Sequence, residues 1–231
     1  MKGIMEIDQE WYQPRFFSSI YYSGVSSKFQ NIVHKFLEKK RSIHYPLTLE
    51  LGATHGQHFD FVKHSYDTYI LSDLVLNDEL IEKSKKHKKI IVKKIDIRDL
   101  SFAEKNSIDR IILTCVLHHV ENTYLCLEQM INILKPKTGV IDIFLPNDPS
   151  ILWNMGRLVF TVPKVLRAGK SWREYWNYVN LEHINNTTGI LSIIKKFEIE
   201  KNIEISIIKF PFNHSPLFLT LFMRVSISKS E

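Results

Sequence analysis

Cysteine is scarce in this chain. Cys115 and Cys126 are the only two among 231 residues, and they form no CxxC pair. That argues against a disulfide-stapled secreted scaffold and against a cysteine zinc cluster. Long apolar runs are also missing: even the stretch 216–225 is too short to cross a bilayer. The start of the chain lacks the cationic-then-apolar pattern of a signal peptide. The expected location is therefore the cytoplasm. No G-x-G-x-x-G run occurs, which weighs against a nicotinamide-dependent enzyme.

What is present is an ordinary apolar fraction of 44% and a net charge of +6. The first allows a sizeable core. Much of the second sits in Lys85, Lys86, Lys88, Lys89, Lys93 and Lys94. No aromatic residue is interleaved there for base stacking, so the cluster reads as a solvated helix end rather than a nucleic-acid groove. It remains suited to attracting a phosphorylated acceptor.

Apolar residues recur at helical spacing over 26–41, and Leu47–Leu51 reads as a short buried strand. A helix is expected after Gly56, then strands at 69–71 and 90–95 separated by a helix over 78–87. A fourth strand is expected from Ile108 to Thr114, a helix over 121–134 and a fifth strand over 140–145. Such alternation implies βαβ units on a parallel sheet, with ligand sites at the carboxyl ends of the strands. The segment 146–186 reads as irregular and aromatic, an insertion over the site. A helix over 187–197 and strands 201–209 and 217–227 close the chain, the last two as an antiparallel hairpin. The expectation is one domain, 1–231, with 1–45 as an N-terminal helical cap and 146–186 as a lid.

Three strand ends carry a constellation. After the first strand come Gly52 and Gly56, where backbone can approach a ligand and amide groups can point at it. Asp73 ends the second strand, where a carboxylate can accept from both hydroxyls of a ribose. Asp96 follows the third strand, placed to accept from an adenine amino group.

On these residues the chain resembles the class I S-adenosylmethionine-dependent methyltransferases. The matching passages are ELGATHG (50–56), ILSD (70–73), KIDI (94–97), DRIILTCVLHHV (109–120) and LKPKTGVIDI (134–143). The resemblance implies a Rossmann-like α/β fold with a seven-stranded, mostly parallel sheet. It also implies S-adenosylmethionine as cofactor and S-adenosylhomocysteine as product. The cofactor residues it implies are Glu50, Gly52, Ala53, Thr54, Gly56, Asp73, Leu74, Asp96, Ile97, Thr114 and Cys115. Thr54 departs from the pattern, standing where the family has its central loop glycine, so the loop must open slightly or the hydroxyl must take part. Exocyclic-amine and cytosine C5 DNA methyltransferases are disfavoured. The fourth strand ends in neither an Asn/Asp-Pro-Pro-aromatic motif nor a Pro-Cys pair.

Methyl transfer to a hydroxyl needs a base. His118 and His119 end the fourth strand beside the expected methyl position, and Asp148 and His183 are further candidates. Cys115 reads as a small buried hydrophobe. The passages LPNDPS (145–150) and YVNLEHIN (178–185), with Tyr22-Ser-Gly24, are similar to methyltransferases of bacterial surface-polysaccharide gene clusters. That similarity implies a small-molecule, nucleotide-linked or lipid-linked sugar acceptor held by Tyr22, Asn147, Tyr178, Asn180, Glu182 and Asn185. Turn and cap roles for Asn147 and Asn185 stay open. No metal is expected, since His118-His119 alone makes too small a ligand set. The aromatic, cationic lid suits either a carbohydrate phosphate or an anionic membrane surface. The rival readings are an RNA or other small-molecule methyltransferase, and a methyltransferase-fold binding subunit without turnover.

Overall fold

The structure is a computed structural model that describes Ile20, residues 24–148 and residues 150–230. Strands β1 (Leu47–Leu51), β2 (Thr68–Asp73), β3 (Ile90–Lys94), β4 (Arg110–Thr114), β5 (Val140–Pro146), β6 (Ile203–Phe210) and β7 (Phe222–Lys229) form one sheet. Its order is β3-β2-β1-β4-β5-β7-β6. The first five strands are parallel, and β7 runs antiparallel to both β5 and β6. The seven-stranded α/β sheet with its terminal antiparallel pair is thus the one expected. Strand order reverses between β1 and β4, which opens a crevice at the carboxyl ends of those two strands.

Every residue of β5 is buried, as a central strand covered on both faces requires. Helices α3 (Thr123–Ile133) and α7 (Thr187–Glu200) cover one face through Leu127, Met130, Ile190, Ile194 and Phe197. On the other face α1 (Gly24–Leu37) and α2 (Asp78–Lys86) bury Val33, Leu37 and Leu80 against Tyr69, Ile112 and Phe144.

A charged network also lies under α1. Arg110 on β4 reaches Glu38 at 2.7 Å and Asp142 on β5 at 3.0 Å, and all three side chains are fully buried. Asp142 also receives Arg41 at 2.7 Å and the Ser226 hydroxyl at 2.7 Å. Glu38 further takes His58 at 3.1 Å and the Lys63 amide at 3.1 Å. Burial alone would raise the Glu38 carboxyl, but these partners hold it far below the usual carboxylate range.

Two expectations are corrected. The stretch after Gly56 is not an α-helix but a short 3₁₀ turn, His58–Phe61. The Glu38 carboxylate takes the Lys63 amide just beyond it, and Phe59 packs edge-on against Tyr69, so tertiary contacts close the turn early. The segment 146–186 is ordered helix rather than irregular chain. It comprises α4 (Ile151–Gly156), a π-helical turn (Arg157–Thr161), α5 (Val162–Arg167) and α6 (Trp172–Glu182). Aromatic and β-branched residues are middling helix formers, but caps outweigh that. The Ser150 hydroxyl accepts the Trp153 amide, and Ser171 with Glu174 forms a capping box. Val162, Val165, Tyr175, Tyr178 and Val179 then build a small core with Ile20.

Candidate active site

The loop after β1 turns through three left-handed residues: Gly52 at φ +71°, Thr54 at φ 51° and Gly56 at φ +69°. A Cβ on Gly52 would stand 2.5 Å from Val116 Cγ2, so any side chain here must displace Val116 as well as adopt a strained φ. Thr54 is β-branched in a region such residues avoid, which explains why a glycine is the ordinary occupant. What holds it there is Asp73, whose carboxylate accepts the Thr54 amide at 2.8 Å and the Val75 amide at 3.2 Å. The Asn77 side chain donates to the Thr54 carbonyl at 2.6 Å, and the Ala53 amide donates to the Ser72 carbonyl at 2.8 Å. Because a 3₁₀ turn and not an α-helix follows Gly56, no α-helix dipole points into the loop from there.

The other cofactor candidates are placed unequally. Glu50 is buried, its carboxylate accepting the Tyr69 hydroxyl at 2.6 Å, and burial raises its pKa. Leu74 is half exposed beyond Asp73. Asp96 follows β3 and is gripped by Arg98 at 2.7 and 3.0 Å, a hydrogen-bonded pair that lowers its pKa. An adenine amino group there would have to share that carboxylate. Ile97 packs against the main core. The Thr114 hydroxyl is buried without a hydrogen-bond partner among the described residues. Cys115 follows at φ 59°, and burial pushes its thiol up to about 12, which leaves it no nucleophile.

Val116 leans on Gly52, so the cofactor loop and the next turn, Leu117–His119, lie side by side. That turn carries the expected bases. His118 and His119 have ring centroids 4.2 Å apart, and His183 comes in from the end of α6 with its ring 4.3 Å from that of His118 and 5.1 Å from that of His119. Each is oriented differently. His119 Nδ1 lies 2.9 Å from the Glu182 carbonyl and 3.3 Å from its carboxylate. His183 Nδ1 lies 2.9 Å from Asp148. His118 is buried, and burial holds its imidazole well below the ordinary histidine value and hence neutral. Burial also lowers His183, against the opposing effect of its hydrogen bond to Asp148. Asp148 itself stays below the usual range, because His183 and Arg157 outweigh its desolvation.

All four residues expected to act on the acceptor thus meet in one cluster. Of the six expected to bind it, Glu182 joins them. Asn185 serves the cluster instead of lining it: its side chain donates to the Leu117 and Val120 carbonyls at 3.2 and 2.5 Å, clamping the histidine turn. Asn147 likewise donates to the Leu217 carbonyl and, at 2.8 Å, to that of Thr220, tying β5 to the turn before β7. The side-chain amide nitrogens of both thus donate to backbone carbonyls, the structural role left open for them by their turn and cap positions. Tyr178 is buried in the lid core and Asn180 is exposed on α6. Tyr22 lies outside the described residues.

Arg157 was not singled out as a site residue by its sequence position. It pairs with Asp148 at 2.7 Å and sits 5.6 and 5.9 Å from the ring centres of Trp153 and Trp176. One cation among several in an aromatic stretch gives little sign of this. Its contacts with Asp148 and, at 3.2 Å, with His183 Nδ1 mark it out.

Residues 49–141 match the family model described as "Methyltransferase domain". No curated protein matches the chain in sequence. Among solved structures, the chain is similar to the N-methyltransferase NodS from Bradyrhizobium japonicum WM9 in complex with S-adenosyl-L-homocysteine. The TM-score is 0.61 at 13% identity, covering 99% of this chain and 98% of that one. It is similar as well to the CurJ carbon methyltransferase, with a TM-score of 0.61 and 15% identity over 93% of this chain. An O-methyltransferase family protein from Burkholderia thailandensis gives 0.55 and 14% over 90%. The chain spans 58% of the CurJ protein and 57% of the Burkholderia one. Sheet order and glycine loop are those of the S-adenosylmethionine-dependent methyltransferase fold, and the domain match over 49–141 supports methyl transfer with S-adenosylmethionine as cofactor and S-adenosylhomocysteine as product. Its neighbours in fold are named for methylation at carbon, nitrogen and oxygen.

Proposed function

We propose that this enzyme methylates a hydroxyl oxygen on a sugar or phosphorylated precursor of a cell-surface glycan. The observation that carries the reading is the cluster of His118, His119 and His183 with Asp148 and Glu182, beside the glycine loop. An amine acceptor can arrive unprotonated, whereas a hydroxyl must lose its proton as the methyl moves. Imidazoles oriented by carboxylates suit that task. Arg157, between Trp153 and Trp176, suits an acceptor that joins a sugar face to a phosphate. The similarity of LPNDPS and YVNLEHIN to polysaccharide-cluster methyltransferases points to the same acceptor class.

RNA is disfavoured as acceptor, because the lysine cluster is partly spoken for. Lys85 pairs with Glu82 at 2.6 Å, Lys89 donates to the Tyr66 carbonyl at 3.0 Å, and Lys93 lies 4.1 Å from the Phe102 ring centre. We take the enzyme to work in the cytoplasm, touching the inner face of the membrane through the lid. There Ile151, Met155 and Val159 are 57%, 53% and 60% exposed on one helical face, with Arg167 and Arg173 nearby in sequence. No helix among the described residues is long and apolar enough to cross a membrane.

Incubation with methyl-labelled S-adenosylmethionine and a panel of nucleotide sugars, sugar phosphates and lipid-linked sugars tests the acceptor. Label on a sugar oxygen is the expected product. Label only on an amine or on RNA would reject the reading, as would cofactor binding without transfer to any acceptor.

A further inference from the structure

We propose that His118, His119 and His183 form a binding site for one divalent transition-metal cation of the zinc class, at the carboxyl end of β4. Each histidine offers a ring nitrogen, and the three nitrogens lie within 4.8 Å of one another. Tetrahedral zinc with bonds of about 2.0–2.1 Å would draw them to roughly 3.3 Å apart. Small side-chain rotations close that gap. The sequence alone offers only the adjacent pair His118-His119. The third ligand arrives from the end of α6 because Asn185 ties the next residues to the Leu117 and Val120 carbonyls.

Two further observations point to a cation. The Nδ1 of His119 and of His183 faces a carboxylate, Glu182 at 3.3 Å and Asp148 at 2.9 Å. On His119 a proton held on Nδ1 by the Glu182 oxygens leaves Nε2 with its lone pair free, the usual outer arrangement around metal-bound histidine, while at His183 the Arg157 guanidinium, 3.2 Å from Nδ1, shares that position with Asp148. His118 is 6% exposed and its Nδ1 is buried without a hydrogen-bond partner among the described residues. An imidazole nitrogen left so is costly unless something takes its lone pair. Asp148 and Glu182 set two carboxylates beside the rings, and the Arg157 guanidinium lies 2.7 Å from Asp148 and 3.2 Å from His183 Nδ1.

The ligand chemistry selects the metal. Imidazoles favour zinc, nickel, copper or ferrous iron over magnesium or calcium, which want oxygen. Three protein ligands leave the fourth position open, the pattern of catalytic rather than structural zinc. An oxygen of a bound small molecule is the group suited to that position. The site stands on the histidines alone and does not depend on the acceptor assigned above; where it is occupied, the ring nitrogens that hold the cation no longer serve as the base.

The test uses the full, untagged chain stripped with a chelator and titrated with Zn2+ by calorimetry and with Co2+ by visible absorption. One equivalent of each is expected, Co2+ giving the d–d bands of a site with low coordination number. His118→Ala, His119→Ala and His183→Ala should each weaken binding more than about 100-fold, and Asp148→Asn, acting through His183, by about 10–100-fold. His214→Ala, an exposed histidine elsewhere, should leave it unchanged. Heat of S-adenosylhomocysteine binding by each variant shows that the fold is intact. The proposal is overturned if folded wild-type protein binds neither metal, if Mg2+ binds in their place, or if the three variants keep wild-type affinity. Methyl transfer by a chain that binds no metal would remove this site while leaving the oxygen-acceptor reading in place.

Discussion

Replacing Arg110 with methionine removes the cation from a fully buried cluster and leaves Glu38 and Asp142 behind. Breaking one partner of a buried ion pair costs about 3–5 kcal/mol, since an uncompensated charge stays in the interior. Here each carboxylate keeps other donors: Arg41 and Ser226 on Asp142, and His58 and the Lys63 amide on Glu38. The loss should therefore fall near the low end, about 3 kcal/mol, equivalent to about 6–12 °C in Tm for a chain of this length. Both carboxyls are held below their ordinary values in the folded protein, against the raising effect of burial. A depressed folded pKa gives stability that is present above the unfolded value near 4 and fades as pH falls through the folded value. The gap between wild type and Arg110→Met should accordingly be widest at neutral pH and shrink below about pH 4. Urea unfolding of both proteins across that range measures it. Adding Glu38→Gln and Asp142→Asn to Arg110→Met should recover part of the loss, because the stranded charges are gone. A loss under about 1 kcal/mol at pH 7, or a gap that widens in acid, would refute the account of why α1 sits where it does.

The loop makes separate demands. Thr54→Gly should stabilise the protein by about 0.5–1 kcal/mol, as relief of the left-handed strain exceeds the entropy that glycine adds to the unfolded chain; thermal unfolding reads it, and a destabilised variant would contradict the strain argument. Gly52→Ala should destabilise by about 1–3 kcal/mol and weaken S-adenosylhomocysteine binding. Val116→Ala in that background clears the clash but not the backbone strain, so calorimetry should show partial recovery, and full recovery would mean the φ value is harmless. Asp73→Asn should weaken S-adenosylhomocysteine binding by about 1.5–3 kcal/mol, through loss of a charged acceptor for the ribose and of the Thr54 amide's anchor. Unchanged affinity would rule out Asp73 as the ribose acid.

Periodicity and turn chemistry act over a few residues, and what depends on them was legible before any coordinates. The alternating strands and helices, the parallel sheet and the glycine loop with Asp73 near its end all follow from local pattern. Helix ends shifted by a few residues, and the segment after Gly56 fell short of a helix because Glu38, from a distant element, captures the Lys63 amide. The lid looked irregular because its aromatic composition hid two serine caps that set its helices.

Partnerships between remote residues were a different matter. Asp148 and His183 are 35 residues apart, and His119 and Glu182 are 63 apart, yet each pair meets within hydrogen-bonding range of a ring nitrogen. Nothing in either stretch announces its partner, since a side chain's valences are satisfied through space and not along the chain. Asn147 and Asn185 show the same limit from the other side. Their sequence positions left acceptor binding and turn or cap roles equally open, and the side-chain nitrogens of both donate to backbone carbonyls that only the fold brings near. The sequence by itself determined the sheet, the crevice and the kind of cofactor that enters it. Packing of the 146–186 helices over the sheet decided which histidines face one another, and with them the chemistry available at the crevice.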